Sequence, residues 1–137
     1  MTVYLDTSVV VPMFIRDDHT DRVKRWATTR PLIATSAWVA TEFSSALSLQ
    51  HRMKRLTSAE WRRAEAAFDA WAVNFRQFEL EARHVVEARR LIVAHGGLRA
   101  PDALHLALAA AAGMSLATLD KGLREAARAE RVEVVEL

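Results

Sequence analysis

Four of the seventeen acidic residues fall where a carboxylate can do chemistry instead of solvating a surface. Asp6 ends the short apolar run Val3-Tyr4-Leu5. Glu42 lies between Val39 and Ala46 in an apolar helical stripe, at i+3 and i−4. Asp102 follows Pro101 in the first turn of a helix that Leu104, Leu106 and Leu108 make apolar all round. Asp120 stands two residues past Thr118, at the end of another apolar run. An ionised carboxylate on a buried face needs a partner or a metal. Four of them drawn together would repel, and a divalent cation removes that repulsion. The chain has no cysteine, and its histidines show no i,i+4 pair. Oxygen ligands alone favour Mg²⁺ or Mn²⁺ over Zn²⁺. The chemistry that suits such a site is attack on a phosphodiester by metal-activated water. Each acid also has a plainer role open to it. Asp6 and Asp120 could cap the helices that follow them, Asp102 could complement a helix dipole, and Glu42 could pair with a buried arginine.

The elements that must position these residues alternate between short apolar strands and helices. Val3-Tyr4-Leu5, Pro31 to Thr35 and Met114 to Thr118 read as buried strands, with Phe78-Glu79-Leu80 a brief extended piece and Val132 to Val135 a final strand. Thr7 and Ser8 are expected to cap a helix from Val9 to Ile15, followed by a helix over Asp18–Thr28. Ser36 is expected to cap a long helix to Met53 carrying Val39, Phe43, Ala46 and Leu47 on one face. Thr57 and Glu60 form a capping box for a helix through Val73. A helix over Ala82–Ala94 ends at Gly96-Gly97, and Pro101 is placed as the first residue of a helix closed by Gly113. A last helix covers Lys121–Ala129. The pattern predicts one domain over residues 1–137. It is a three-layer α/β/α arrangement, with a mainly parallel sheet of four to five strands and a helical insertion in the middle. In such sheets ligands collect at the carboxyl ends of the strands, where Asp6 and Asp120 fall.

The ordered set of motifs resembles the PIN-domain nucleases, and in particular the VapC-type toxins of bacterial toxin–antitoxin pairs. It consists of Asp6-Thr7-Ser8 after the first strand, Glu42 in the third helix, Arg99-Ala100-Pro101-Asp102-Ala103-Leu104-His105-Leu106-Ala107, and Thr118-Leu119-Asp120. The resemblance runs from Val3 to the end, with no quotable motif between Gln50 and Glu81. It implies a ribonuclease whose Asp6, Glu42, Asp102 and Asp120 bind Mg²⁺ or Mn²⁺, with the hydroxyls of Thr7, Ser8 and Thr118 in support. It also implies a structured RNA substrate, a cognate antitoxin that blocks the site, and a homodimer.

Composition sets the outer bounds. Hydrophobic residues make up 51% and charged residues 26%, which suits a folded domain and not a disordered chain. The longest apolar run, Ala103 to Met114, is interrupted by His105 and is shorter than the roughly 18 residues that a membrane span needs. The N-terminus meets Asp6 with no basic stretch before it, so no signal peptide and a cytoplasmic location are expected. The net charge is only +2, but its distribution is uneven. Arg52, Lys54, Arg55, Arg62 and Arg63 stand against Glu60 alone, which makes Arg52, Lys54 and Arg55 candidates for RNA contact, with Arg99 a fourth beside Asp102. His105, one turn beyond Asp102, is expected to support the acid or the core and not to ligate a metal. The four tryptophans are expected to be core or interface anchors. A phosphoaspartate mechanism fits poorly, because the Asp-x-Asp pattern would need an acid at position 8, which is Ser8. A catalytically inert PIN-like module that binds RNA or protein is the alternative reading.

Overall fold

In the computed structural model, which describes residues 1–137, four parallel strands form one sheet in the order β3-β2-β1-β4. The strands are β1 (Thr2–Leu5), β2 (Leu32–Ser36), β3 (Arg76–Phe78) and β4 (Ser115–Ala117). The helices are α1 (Thr7–Phe14), α2 (Thr20–Ala27), α3 (Ala37–Arg52), α4 (Ser58–Ala72), α5 (Ala82–Ala94), α6 (Ala100–Ala111) and α7 (Lys121–Ala129). The chain steps outward from β1 to β2 to β3, then returns across the sheet to β4 on the other side of β1. Right-handed crossovers therefore lay α1–α4 on one face and α5 and α6 on the other. The packing agrees: α1 touches α2, α3 and α4, whereas α6 touches α5 and α7. The direction of winding reverses between β1 and β4, and the carboxyl-end crevice at that reversal is where open α/β sheets bind ligands.

The central strands β1 and β4 and the end of β2 are buried. Tyr4, Leu5, Ala34, Leu116 and Ala117 have no exposure at all, and parallel strands covered on both faces must read as continuous apolar runs. On the α1–α4 face, Phe43 of α3 stacks on Phe68 of α4 with ring centroids 4.5 Å apart. Phe14 of α1 meets both rings edge-on, at 5.5 and 5.9 Å, and meets Trp71 at 5.7 Å. This cluster explains the segment for which no motif is recognisable. Residues from α4 complete the core beneath the helix that carries Glu42.

The structure adjusts several boundaries. The N-cap of α1 is Asp6, not Thr7 or Ser8, because the Asp6 carboxylate accepts the Val9 N–H while both hydroxyls are used elsewhere. Helix α2 begins at Thr20 instead of Asp18, with the Thr20 hydroxyl donating to the Pro12 carbonyl at 2.8 Å. Strand β3 lies two residues earlier than Phe78–Leu80, where its register against β2 pairs Ala34 with Arg76 and Ser36 with Phe78. Pro101 is the second residue of α6, after Ala100. Val132–Val135 is not a full strand, since only Val134 bridges Leu116, so the sheet has four strands. The expected cap of α3 by Ser36 and the Thr57–Glu60 capping box are both present.

Phe68 is 3% exposed and central to the aromatic cluster. Phe68→Ala is expected to lower unfolding stability by about 3–5 kcal/mol in a denaturant titration. A loss below about 1 kcal/mol would mean that α4 is not part of the cooperative core.

Candidate active site

Asp6 is the most enclosed of the four acids. It follows β1 directly, is buried, and spends both carboxylate oxygens on hydrogen bonds. The Ser8 hydroxyl donates to Oδ1 at 2.6 Å, the Val9 N–H donates to the same oxygen at 3.3 Å, and the Thr118 hydroxyl donates to Oδ2 at 2.6 Å. These two hydroxyls also accept from the loop after β4: Leu119 N–H donates to Ser8 Oγ at 2.9 Å and Asp120 N–H to Thr118 Oγ1 at 3.0 Å. The ends of β1 and β4 are thus stitched together through a single carboxylate. Burial pushes Asp6 above the usual aspartate range, against the opposing pull of His105 and the three donors.

Asp120 caps α7 by accepting the Leu123 N–H at 2.7 Å. Asp102 lies in the first turn of α6. Between these two sits the Arg99 guanidinium, with Nε donating to Asp102 Oδ2 at 3.0 Å and one terminal nitrogen 3.7 Å from Asp120 Oδ2. Burial raises Asp102 and the Asp120 charge raises it further, while Arg99 pulls it down; the net shift is upward. Glu42 stands on the second turn of α3. Its Oε2 is bound by His105 Nε2 and by the Thr7 hydroxyl, the latter at 2.6 Å. Partial burial pushes Glu42 up, but His105, Thr7 and Arg99 together outweigh it and hold the carboxyl below its usual value. Glu42 therefore pairs with a histidine, where an arginine was one expectation.

The plain structural roles and the site geometry coexist here. Asp6 and Asp120 do cap helices, and they do so at adjacent strand ends. No three of the acids, with or without His105, converge into a ready ligand cage. Two observations nevertheless fit a hard divalent cation at this edge. The donors are all carboxylate and hydroxyl oxygens, and the gap between Asp102 and Asp120 already attracts a cationic group, Arg99. That side chain is 71% exposed, so its ion pairs are weak and it can leave the gap at little cost.

The other candidates fall elsewhere. Arg52, Lys54 and Arg55 are exposed at the far end of α3 and the turn after it, about 15 Å along the axis from Glu42. They are not part of the acid group. Trp38 is half-buried and its indole N–H donates to the Pro101 carbonyl at 3.4 Å, tying α3 to α6 beside the acids. Trp61 and Trp71 pack against the core. Two contributors escaped sequence reasoning: Tyr4 and Ser36. Tyr4 Oη lies 2.8 Å from Ser36 Oγ and 2.9 Å from His105 Nδ1. The only signal was a tyrosine in a strand with no polar neighbour at its own depth.

The PIN domain family's model matches residues 3–129 of the sequence. The chain belongs to the PIN domain family. Among solved structures, FitAcB from Neisseria gonorrhoeae is similar at a TM-score of 0.76 and 20% identity, covering 98% of this chain and 96% of that one. VapC20 from Mycobacterium tuberculosis, described as a sarcin–ricin-loop-cleaving toxin, is similar at 0.72 and 22%, covering 90% and 94%. A toxin–antitoxin complex from Klebsiella pneumoniae is similar at 0.63 and 17%, covering 86% of each chain. At these identities the likeness establishes the shared fold. A comparison of the sequence with curated proteins gives no match. No helix of this PIN domain is long and apolar enough to cross a membrane.

The shifts set a pH dependence. Asp6 and Asp102 lie above the ordinary value of 3.8, so they favour the fold when protonated. That contribution is complete below 3.8 and is lost as pH rises through the folded values. Glu42 has the opposite sign, its contribution being present above 4.5 and lost as pH falls through its lowered value. Asparagine caps as well as aspartate. Asparagine cannot accept from both hydroxyls, so Asp6→Asn carries a constant cost, set against the removal of a carboxylate whose ionisation burial disfavours. In chelator, the stability of Asp6→Asn relative to wild type is therefore expected to rise as pH goes from 4 to neutral. Unfolding midpoints across that range check it, and a difference that falls with rising pH would overturn it.

Proposed function

We propose that this PIN domain is a Mg²⁺- or Mn²⁺-dependent endoribonuclease that hydrolyses phosphodiester bonds in structured RNA, and the toxin of a bacterial type II toxin–antitoxin pair. One observation carries the reading: Asp102 and Asp120 flank a gap that already holds the Arg99 guanidinium, beside the strand end where Asp6 follows β1. The VapC20 description and the Klebsiella complex support RNA as substrate and a cognate antitoxin as partner. A homodimer and a cytoplasmic location complete the proposal.

Asp6, Asp102, Asp120 and Glu42 would hold the ion. When bound, it supplies Lewis acidity that lowers the pKa of water and offsets phosphate charge. Ser8 and Thr118 hold Asp6 in one orientation, so its charge is fixed before substrate arrives. Thr7 does the same for Glu42. Arg99, released from Asp102 and Asp120, has the reach and exposure to pair with a substrate phosphate. Arg52, Lys54 and Arg55, which make no ion pair with any acid, offer a second phosphate-contacting surface farther along α3.

Incubation of the purified chain with total RNA tests the reading. Cleavage is expected with Mg²⁺ or Mn²⁺, to be abolished by chelator, and to be lost in Asp6→Asn and Asp120→Asn although both remain folded. An inactive wild type that also shows no Mn²⁺ binding by calorimetry would favour a catalytically inert binding module. Full activity in Asp6→Asn would remove Asp6 from the site.

A further inference from the structure

A chain of buried polar groups runs behind Glu42, and hydroxyls and a ring supply it from three elements. It begins at the first turn of α3, where the Val39 N–H donates to Ser36 Oγ at 3.2 Å. Ser36 Oγ is 2.8 Å from Tyr4 Oη, Tyr4 Oη is 2.9 Å from His105 Nδ1, and His105 Nε2 bonds Glu42 Oε2. Ser36 and Tyr4 have no exposure and His105 has 1%. Such a chain is costly to bury unless every member is satisfied. A leucine at position 105, like those at 104, 106 and 108, would spare that cost.

The donor inventory lets the chain run in one direction, from Ser36 toward Glu42. Ser36 accepts the Val39 N–H and keeps its own proton free to donate to Tyr4. Tyr4 then donates to His105 Nδ1. Burial, with the charges of Asp6 and Glu42 adding to it, keeps the phenol protonated far beyond neutral pH and so keeps it a donor. With Nδ1 accepting, the ring proton sits on Nε2, which faces the Glu42 carboxylate. Thr7 donates to the same carboxylate oxygen. Both bonds converge on Oε2 and leave Oε1 without a protein partner.

We propose that His105 is a positioning residue for Glu42, set in its Nε2–H tautomer by Tyr4 and Ser36, so that one carboxylate oxygen is immobilised and the other is presented for ligation. The inference rests on the proposed role of Glu42 as a metal ligand. It assigns to β1 a second task at the site: Asp6 at its end carries charge, and Tyr4 within it aims the charge on α3.

Two measurements on the full chain test this. Nitrogen-15 spectra of the His105 ring are expected to show a single Nε2–H tautomer in wild type and a mixture in Tyr4→Phe, with no metal added. A wild-type ring that carries its proton on Nδ1, or that exchanges between tautomers, overturns the proposal whatever the metal does. Calorimetry with Mn²⁺ alone is the second measurement. His105→Leu is expected to weaken binding about 10–100-fold, and His105→Gln, which keeps an N–H at the ε position, to restore most of it. In a Glu42→Gln background, His105→Leu should add little, because it acts through the carboxylate. Should His105→Leu fail to fold, Tyr4→Phe and His105→Gln carry the same comparison. If Glu42→Gln weakens Mn²⁺ binding and the His105 variants stay within twofold of wild type, the positioning role fails and the metal site stands. If Glu42→Gln itself changes nothing, the metal reading of Glu42 fails, and the inference resting on it falls with it.

Discussion

The hydrogen bond from the Thr118 hydroxyl to Asp6 is the interaction on which the rest of the site depends. A carboxylate buried at the end of a parallel strand faces a desolvation cost of several kcal/mol unless donors reach it. Here two come from hydroxyls and one from a helix terminus. The same hydroxyls accept backbone N–H groups from the loop after β4, so satisfying Asp6 also determines where that loop runs. The loop places Asp120, Asp120 caps α7, and Arg99 reaches across to Asp120 from the start of α6. One buried charge thereby organises the ends of two strands and the beginnings of three helices.

Structural duties do not compete with the proposed chemical ones in this site. Asp6 and Asp120 are helix caps, and capping is what keeps them at the strand edge with defined rotamers. Arg99 sits between Asp102 and Asp120 and offsets part of their repulsion, a small contribution at its exposure. The opposed shifts of Asp102 and Glu42 follow from their partners. Burial raises both; on Asp102 it and the Asp120 charge outweigh the Arg99 guanidinium, whereas on Glu42 the His105 ring, the Thr7 hydroxyl and Arg99 together outweigh burial.

Much of this was legible in the sequence. Apolar runs of three to five residues separated by helical stripes announce buried parallel strands, and the four acids stand out because each interrupts or ends an apolar pattern. The capping box at Thr57 and the cap at Ser36 are local signals, and local signals survive folding. What stayed hidden depends on distance along the chain. Asp6, Thr7 and Ser8 are all open as caps of α1, and the choice of Asp6 rests on Thr7 being drawn to Glu42, thirty-five residues away. Val132–Val135 has strand-like residues, yet only one bridge forms, since β4 itself is three residues long. Tyr4 reads as an ordinary strand aromatic until Ser36 and His105 are brought to its hydroxyl. The aromatic cluster of α4 likewise needs Phe14 and Phe43 beside it before its purpose is visible.

The reversal of winding between β1 and β4 divides the molecule into two helical halves, and the acids are shared between them. Glu42 rides on α3 in one half and Asp102 on α6 in the other, with β1 as the spine between. Their spacing is therefore a property of how the halves seat against each other, and not of any single element. A ligand held by acids of both halves would act as a rivet across that joint. Conversely, any loosening of the joint would first be felt as a change in the gap between carboxylates. The feature that opens the crevice thus also makes its width a reading of how the two helical halves pack.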